Sequence, residues 1–306
     1  MTPEVMEARR QALYHRAMDL ALASPAPAAS QVLPFGEHLR SWRLRRRMSQ
    51  LDLASEADIS TRHLSFVETG RSAPSREMVL RLAERLDVPL RERNALLVAA
   101  GYAPMYRERP LDDPALAVAR EAVQLILRSH EPYPALAVDR HWNLLAHNAV
   151  LPHLLAGVDP ALMQPPVNVL RLSLHPQGVA PRIVNLGQWR HHLFERLRQQ
   201  IQATGDRTLQ ALEQELRGYT VPGDADVTRL EGEVLGIAVP LRIRTEGGVL
   251  NLISTTTIFG SPVDVTLQEL ALETFFPADA ATADALRRFA RAAGAGAGPG
   301  APYDYP

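Results

Sequence analysis

Two residue types are missing altogether from the 306-residue sequence: cysteine and lysine. Without cysteine the chain builds no disulfide scaffold, zinc ribbon, iron–sulfur cluster or thiol nucleophile. Without lysine, all 33 basic side chains are arginines. Beside the abundant Ala and Pro this reads as a bias of composition with no functional signal. No apolar run reaches the roughly 18 residues that a membrane-spanning helix needs. The N-terminus opens with acids and has no apolar core of a signal peptide, so a cytoplasmic protein is expected. There is no Gly-x-Ser-x-Gly, no P-loop and no His-Glu-x-x-His. The Gly-rich GAGAGPG run follows no strand and opens no helix, so it is not a phosphate loop. No catalytic centre, metal site or resident cofactor is expected.

What is present is enough apolar sequence for about two domains. Hydrophobic residues make up 46% and charged residues 22%, which excludes a disordered or collagen-like chain. The net charge of −1 hides an asymmetry. Residues 35–109 hold 14 arginines against 10 acids, whereas residues 111–280 hold 13 against 19. A basic module joined to an acidic one suggests that only the first meets a polyanion.

The chain divides accordingly. Residues 1–34 form an extension, with a short amphipathic helix over 1–22 and a Pro/Ala/Ser linker at 24–31. Residues 35–102 carry short helical patterns, and the three prolines of 103–114 mark a stiff linker or strap. Residues 115–280 mix helices with strands. Helices are expected at 115–129, 149–156, 186–204, 207–218 and 264–276. Short strands are expected at 135–138 and 142–146. Period-2 alternation from Leu235 and Ile237 through Ile243, then from Leu250 to Ile258, predicts a hairpin turning at Thr245–Gly248. Residues 281–306 end as a helix end and a low-complexity tail.

The segment SQLDLASEADISTRHLSFVETG, residues 49–70, carries the most specific pattern. Ser49 and Ser60 are good N-caps for two short helices. Ala54 is small where the helices must cross, and the break at Ala57–Ile59 is short. Leu51, Leu53, Ile59, Leu64 and Val67 are the expected core. Two short helices at a tight turn are the helix-turn-helix plan, in which the second helix enters the major groove.

With Gln50, Ala54, Ile59, Ser60, Leu64, Val67, Glu68 and Gly70 at its pattern positions, the run from Phe35 to Tyr102 resembles the phage-repressor-like (XRE) helix-turn-helix family. That resemblance implies an all-α bundle of five helices. It departs at Asp58, where the family usually has Gly in a left-handed turn; Asp tolerates that backbone. The resemblance implies that Gln50 contacts a phosphate or base edge, and that Thr61, Arg62 and Phe66 project into the major groove. A guanidinium at Arg62 suits guanine, and Phe66 suits a thymine methyl. Ser60, Arg71 and Ser72 would hold phosphates. Arg43 and Glu68 match a structural salt bridge. The partner implied is double-stranded operator DNA, bound by a homodimer because one recognition helix reads few base pairs.

The stretches YPALAVDRHWNLLAHN, LSLHPQGVAPRIVNLGQW, TGD and FGSPVDVTLQELALETFFPAD resemble the MmyB-type ligand-binding domain, a PAS-like module. An α+β domain with an antiparallel sheet and a small hydrophobic ligand, such as a fatty acid, is what this implies. Trp142, Trp189, His192, Phe259 and Phe275 are the candidate pocket residues. Each is equally a candidate for ordinary core packing. His175 reads as a turn cap. The alternative is a second domain that only dimerises or docks a protein and binds no ligand. A filled core and a cavity look the same in one sequence.

Overall fold

The computed structural model describes residues 33–221, 239–260 and 262–296. The helix expected over 1–22, the linker at 24–31, Leu235 and Ile237 of the hairpin, and the tail beyond residue 296 lie outside the described residues.

The first unit is a five-helix bundle: α1 (Phe35–Arg45), α2 (Gln50–Glu56), α3 (Thr61–Glu68), α4 (Arg76–Arg85) and α5 (Leu90–Ala99). Local signals set its boundaries. Ser49 accepts from the Asp52 amide while the Asp52 carboxylate accepts from the Ser49 amide, a capping box at the start of α2. Ser60 caps α3 through the His63 amide, and Ser75 caps α4 through that of Met78. Each such cap contributes about 1 kcal/mol. Asp58, between α2 and α3, is left-handed with φ 53°.

Leu39, Trp42, Leu53, Leu64, Val67, Leu82, Leu96 and Leu97 fill the core around Ala54. Gly36 permits a close approach of α1 to α3: a Cβ there would lie 2.2 Å from the Glu68 carbonyl oxygen. Leu51 departs from the expectation. It is 66% exposed, because α2 turns Leu53, Ala54 and Ala57 inward and Leu51 away from them.

The second unit is built on a five-stranded antiparallel sheet in the order β2-β1-β5-β4-β3. Its strands are β1 (Ala135–Val138), β2 (Leu144–His147), β3 (Leu241–Thr245), β4 (Gly248–Ile258) and β5 (Ala271–Pro277). The helices are α6 (Ala117–Ser129), α7 (Leu151–Leu154), α8 (Val169–Leu174), α9 (Leu186–Thr204), α10 (Arg207–Arg217), α11 (Val265–Gln268) and α12 (Ala280–Gly296).

Period-2 alternation splits β1 between two cores. Ala135 and Ala137 pack with Val123 and Leu127 of α6. Leu136 and Val138 face the larger cluster built from α7 to α10. The hairpin turns at Glu246–Gly247, with Thr245 paired to Gly248.

Two expectations for this unit are corrected. The helix expected over 264–276 is a single turn, capped by Asp264, followed by the central strand β5. Leu, Glu and Ala favour a helix there, but pairing to β1 on one side and β4 on the other overrides that propensity. The strand expected at 142–146 starts at Leu144, because Trp142 is left-handed with φ 67°.

Candidate DNA-binding surface and apolar cavity

At the crossing of α1, α2 and α3 lies a closed polar cluster. Arg43 Nε donates to Glu68 Oε1 at 2.6 Å and Arg43 Nη2 to Glu68 Oε2 at 2.9 Å. Gln50 Nε2 donates to the same Oε2 at 2.7 Å, and Arg43 Nη1 to the Met48 carbonyl at 2.9 Å. The Glu68 hydrogen bonds raise the Arg43 pKa against the opposing effect of burial. Arg43 and Glu68 are both buried, so they brace the bundle and are not available to DNA. Gln50 gives one N–H of its side-chain amide to Glu68, so it ties the start of α2 to the end of α3.

The outer face of α3 is different. Ser60, Arg62 and Arg71 are exposed, and Thr61, Phe66 and Ser72 are half-buried beside them. The Arg62 guanidinium lies 5.4 Å from the Phe66 ring centre and that of Arg71 lies 5.9 Å from it. The amides of Arg71 and Ser72 both donate to the Phe66 carbonyl, at 2.8 and 3.2 Å. The turn that carries Arg71 is thus fixed to α3, and Phe66 holds two cations on one face. Among the described residues neither guanidinium pairs with a carboxylate. All seven candidate DNA contacts lie on or beside α2 and α3.

In the second unit, α7, α8, α9 and the sheet line a half-open apolar pocket of about 100 Å³. Its walls are leucines with Trp142, Trp189 and Phe275. The Trp189 indole nitrogen donates to Ser173 Oγ at 2.9 Å, and that of Trp142 to Gln200 Oε1 at 2.8 Å. Both rings therefore present carbon to the cavity with their polar atoms satisfied.

One ion pair stands in the wall: Arg196 Nη2 donates to Glu273 Oε1 at 2.5 Å and Nη1 to Oε2 at 3.2 Å. Thr256 Oγ1 donates to Glu273 at 2.7 Å, and the Arg196 guanidinium stacks 4.8 Å from the Trp142 ring centre.

Two of the five candidate pocket residues are elsewhere. His192 lies beside Trp189, 5.4 Å between ring centres, and not in the cavity wall. Its pKa is lowered, by burial first and by Arg196 second. Phe259 packs in the cluster under α6, on the opposite face of the sheet. His175 does cap a turn: its Nδ1 accepts from the Gln177 amide at 3.0 Å. Arg196 and Glu273 were not singled out from sequence. The usable signal was a carboxylate inside the apolar run ALETFF, since a buried charge needs a partner.

The described residues contain no helix long and apolar enough to cross a membrane. No curated protein matches the chain. Two family profiles do. The helix-turn-helix profile matches residues 39–93, which span most of α1 to α5. The profile of the MmyB-like transcription regulator ligand binding domain matches residues 119–289, more than half of the chain, and covers the sheet and the cavity. The chain therefore belongs to the MmyB-like transcription regulators, with a DNA-binding helix-turn-helix ahead of the ligand-binding domain.

Proposed function

We propose that this regulator binds operator DNA as a homodimer and responds to a small hydrophobic molecule, of which a fatty acid is one candidate. The observation that carries the ligand half is the apolar pocket lined by Trp142, Trp189 and Phe275 inside the region matched as a ligand-binding domain. The DNA half rests on the Arg62–Phe66–Arg71 face. Arg62 reads a base, Thr61 and Phe66 flank it, and Gln50, Ser60, Arg71 and Ser72 set the register on phosphates. The ligand acts only through a difference in its affinity for the DNA-competent and DNA-incompetent arrangements.

Native mass spectrometry of the freshly purified full chain, set against its denatured mass, tests this. The expected result is a dimer carrying a few hundred daltons of non-covalent mass. A dimer of bare polypeptide mass that gains nothing from added decanoic acid removes the sensing half. A monomer at micromolar concentration removes the homodimer.

A further inference from the structure

The ligand-binding domain holds the last helix of the DNA-binding bundle through a small set of directed contacts. Pro89 precedes α5 and offers no side-chain cap. The orphan amide of Leu90 donates instead to Gln268 Oε1 of α11 at 2.7 Å. Next to it, Arg91 makes a two-pronged contact with Glu269, Nε to Oε1 at 2.8 Å and Nη2 to Oε2 at 2.9 Å. Arg91 also grips Glu108 of the connecting strap. The strap is pinned in turn: Arg109 pairs with Asp264 at 2.8 Å, and the Val265 amide donates to the Arg107 carbonyl at 2.9 Å.

Glu269 has a second basic neighbour. Arg140 Nη1 lies 3.5 Å from Glu269 Oε1 and 3.8 Å from Asp206. Arg140 sits in the β1–β2 turn, two residues before Trp142, whose ring lines the cavity and whose backbone is held in the left-handed region. Such a conformation in a bulky residue stores strain and persists only where its surroundings impose it. His141, between them, is fixed to Asp206 at 2.9 Å.

A second path reaches the same carboxylate. Glu269 stands two residues before β5, which carries Glu273 and Phe275 of the cavity wall. Both the turn and the strand that face the cavity thus converge on Glu269.

The docked arrangement also contains a contact that does not favour it. Arg45 of α1 lies against Gly205, where a Cβ would sit 2.0 Å from its guanidinium. Arg45 Nη1 is buried there without a hydrogen-bond partner. An unsatisfied buried donor costs free energy, so this contact opposes the docked arrangement that the clamp favours.

Resting on the sensing role proposed above, we infer that the Arg91–Glu269–Arg140 cluster couples occupancy of the cavity to the position of the helix-turn-helix bundle. Filling the cavity moves the Trp142 turn or β5, either movement displaces Glu269, and α5 follows through Arg91 and Leu90.

Coupling is reciprocal, so it is measurable without the natural ligand. Hydrogen exchange by mass spectrometry on the full chain compares wild type, Glu269→Gln and Arg91→Ala. The amides of Trp142 and Asn143 bond only to Asp139 and touch neither altered residue. Both variants are expected to speed their exchange about fivefold or more, and to shift the affinity for 1-aminoanthracene, a neutral apolar fluorophore, by a similar factor. Arg287→Ala, which breaks an exposed pair with Asp284 on α12, is the control and leaves the turn unchanged. Exchange altered only at Leu90–Arg91 and Gln268–Glu269 overturns the inference. Failure of the fluorophore to bind wild type counts against the sensing role, while the exchange data still decide the coupling.

Discussion

The two halves of this molecule use a buried arginine–glutamate pair in opposite settings. In the helix-turn-helix bundle, Arg43 and Glu68 close a solid core at 8% and 2% side-chain exposure, with Gln50 filling the remaining acceptor site. In the ligand-binding domain, Arg196 and Glu273 stand at 23% and 6% on the rim of a hollow one. The first pair makes a surface rigid, so that α3 presents Arg62 and Arg71 in one geometry. The second leaves a charged group at the edge of an apolar space, with Arg196 partly open to water. A filled core behind the DNA-binding face and a pocket in the ligand-binding domain are two packing styles in one chain.

The largest expected effect separates the pairs directly. Glu68→Ala leaves a buried guanidinium and a stranded Gln50 amide, and is expected to cost about 3–5 kcal/mol. Glu273→Ala leaves Arg196 with access to water, the Thr256 hydroxyl and the Trp142 ring, so the cost is nearer 1–3 kcal/mol. Urea unfolding of the full chain, with each domain's transition followed separately, compares them. Equal losses break the contrast between closed core and open rim.

A smaller test adds volume to each core. Gly36→Ala puts a methyl against the α3 backbone, which cannot move aside like the end of a side chain. A loss of about 1–3 kcal/mol is expected. Val169→Leu adds a methylene to the cavity wall, where space already exists. It is expected to be neutral or to stabilise by up to about 1 kcal/mol. Thermal unfolding reads the sign, and a destabilising Val169→Leu means the cavity is not free volume.

The same contrast decides what the sequence disclosed. The bundle was legible because its signals are local: Ser49 and Ser60 cap by their own side chains, and Asp58 turns by its own backbone. Even there, Leu51 was misplaced, since an apolar residue on a two-turn helix does not say which way it faces. The hairpin at Thr245–Gly248 was legible for the same local reason. The strand β5 was not, because its conformation is imposed by neighbours distant in sequence: β1, more than 100 residues before it, and β4, across an intervening loop and helical turn. Trp142, Trp189 and Phe275 were identifiable as large apolar groups. That they surround space, while Phe259 fills a core on the other face, is set by which side of the sheet each reaches.

The smallest effect is a pH dependence that comes from two histidines of the ligand-binding domain. Burial lowers the pKa of His147 on β2, against a hydrogen bond to the Asn148 carbonyl that raises it. Burial also lowers that of His192 on α9, helped by Arg196 and His191 and opposed by Glu273. In the unfolded chain both return to about 6.5. Below that value the unfolded state takes up protons that the folded state refuses, so stability falls as pH falls. The contribution is fully present above pH 6.5 or so and is lost on the way down to the folded values. Calorimetry between pH 7.5 and 5.5 is expected to show the sensor domain's transition moving to lower temperature, with His147→Gln flattening the slope. A slope that His147→Gln and His192→Gln together leave intact would place the titration elsewhere, and the protonation-sensitive element would then have to be sought outside the packing of β2 and α9.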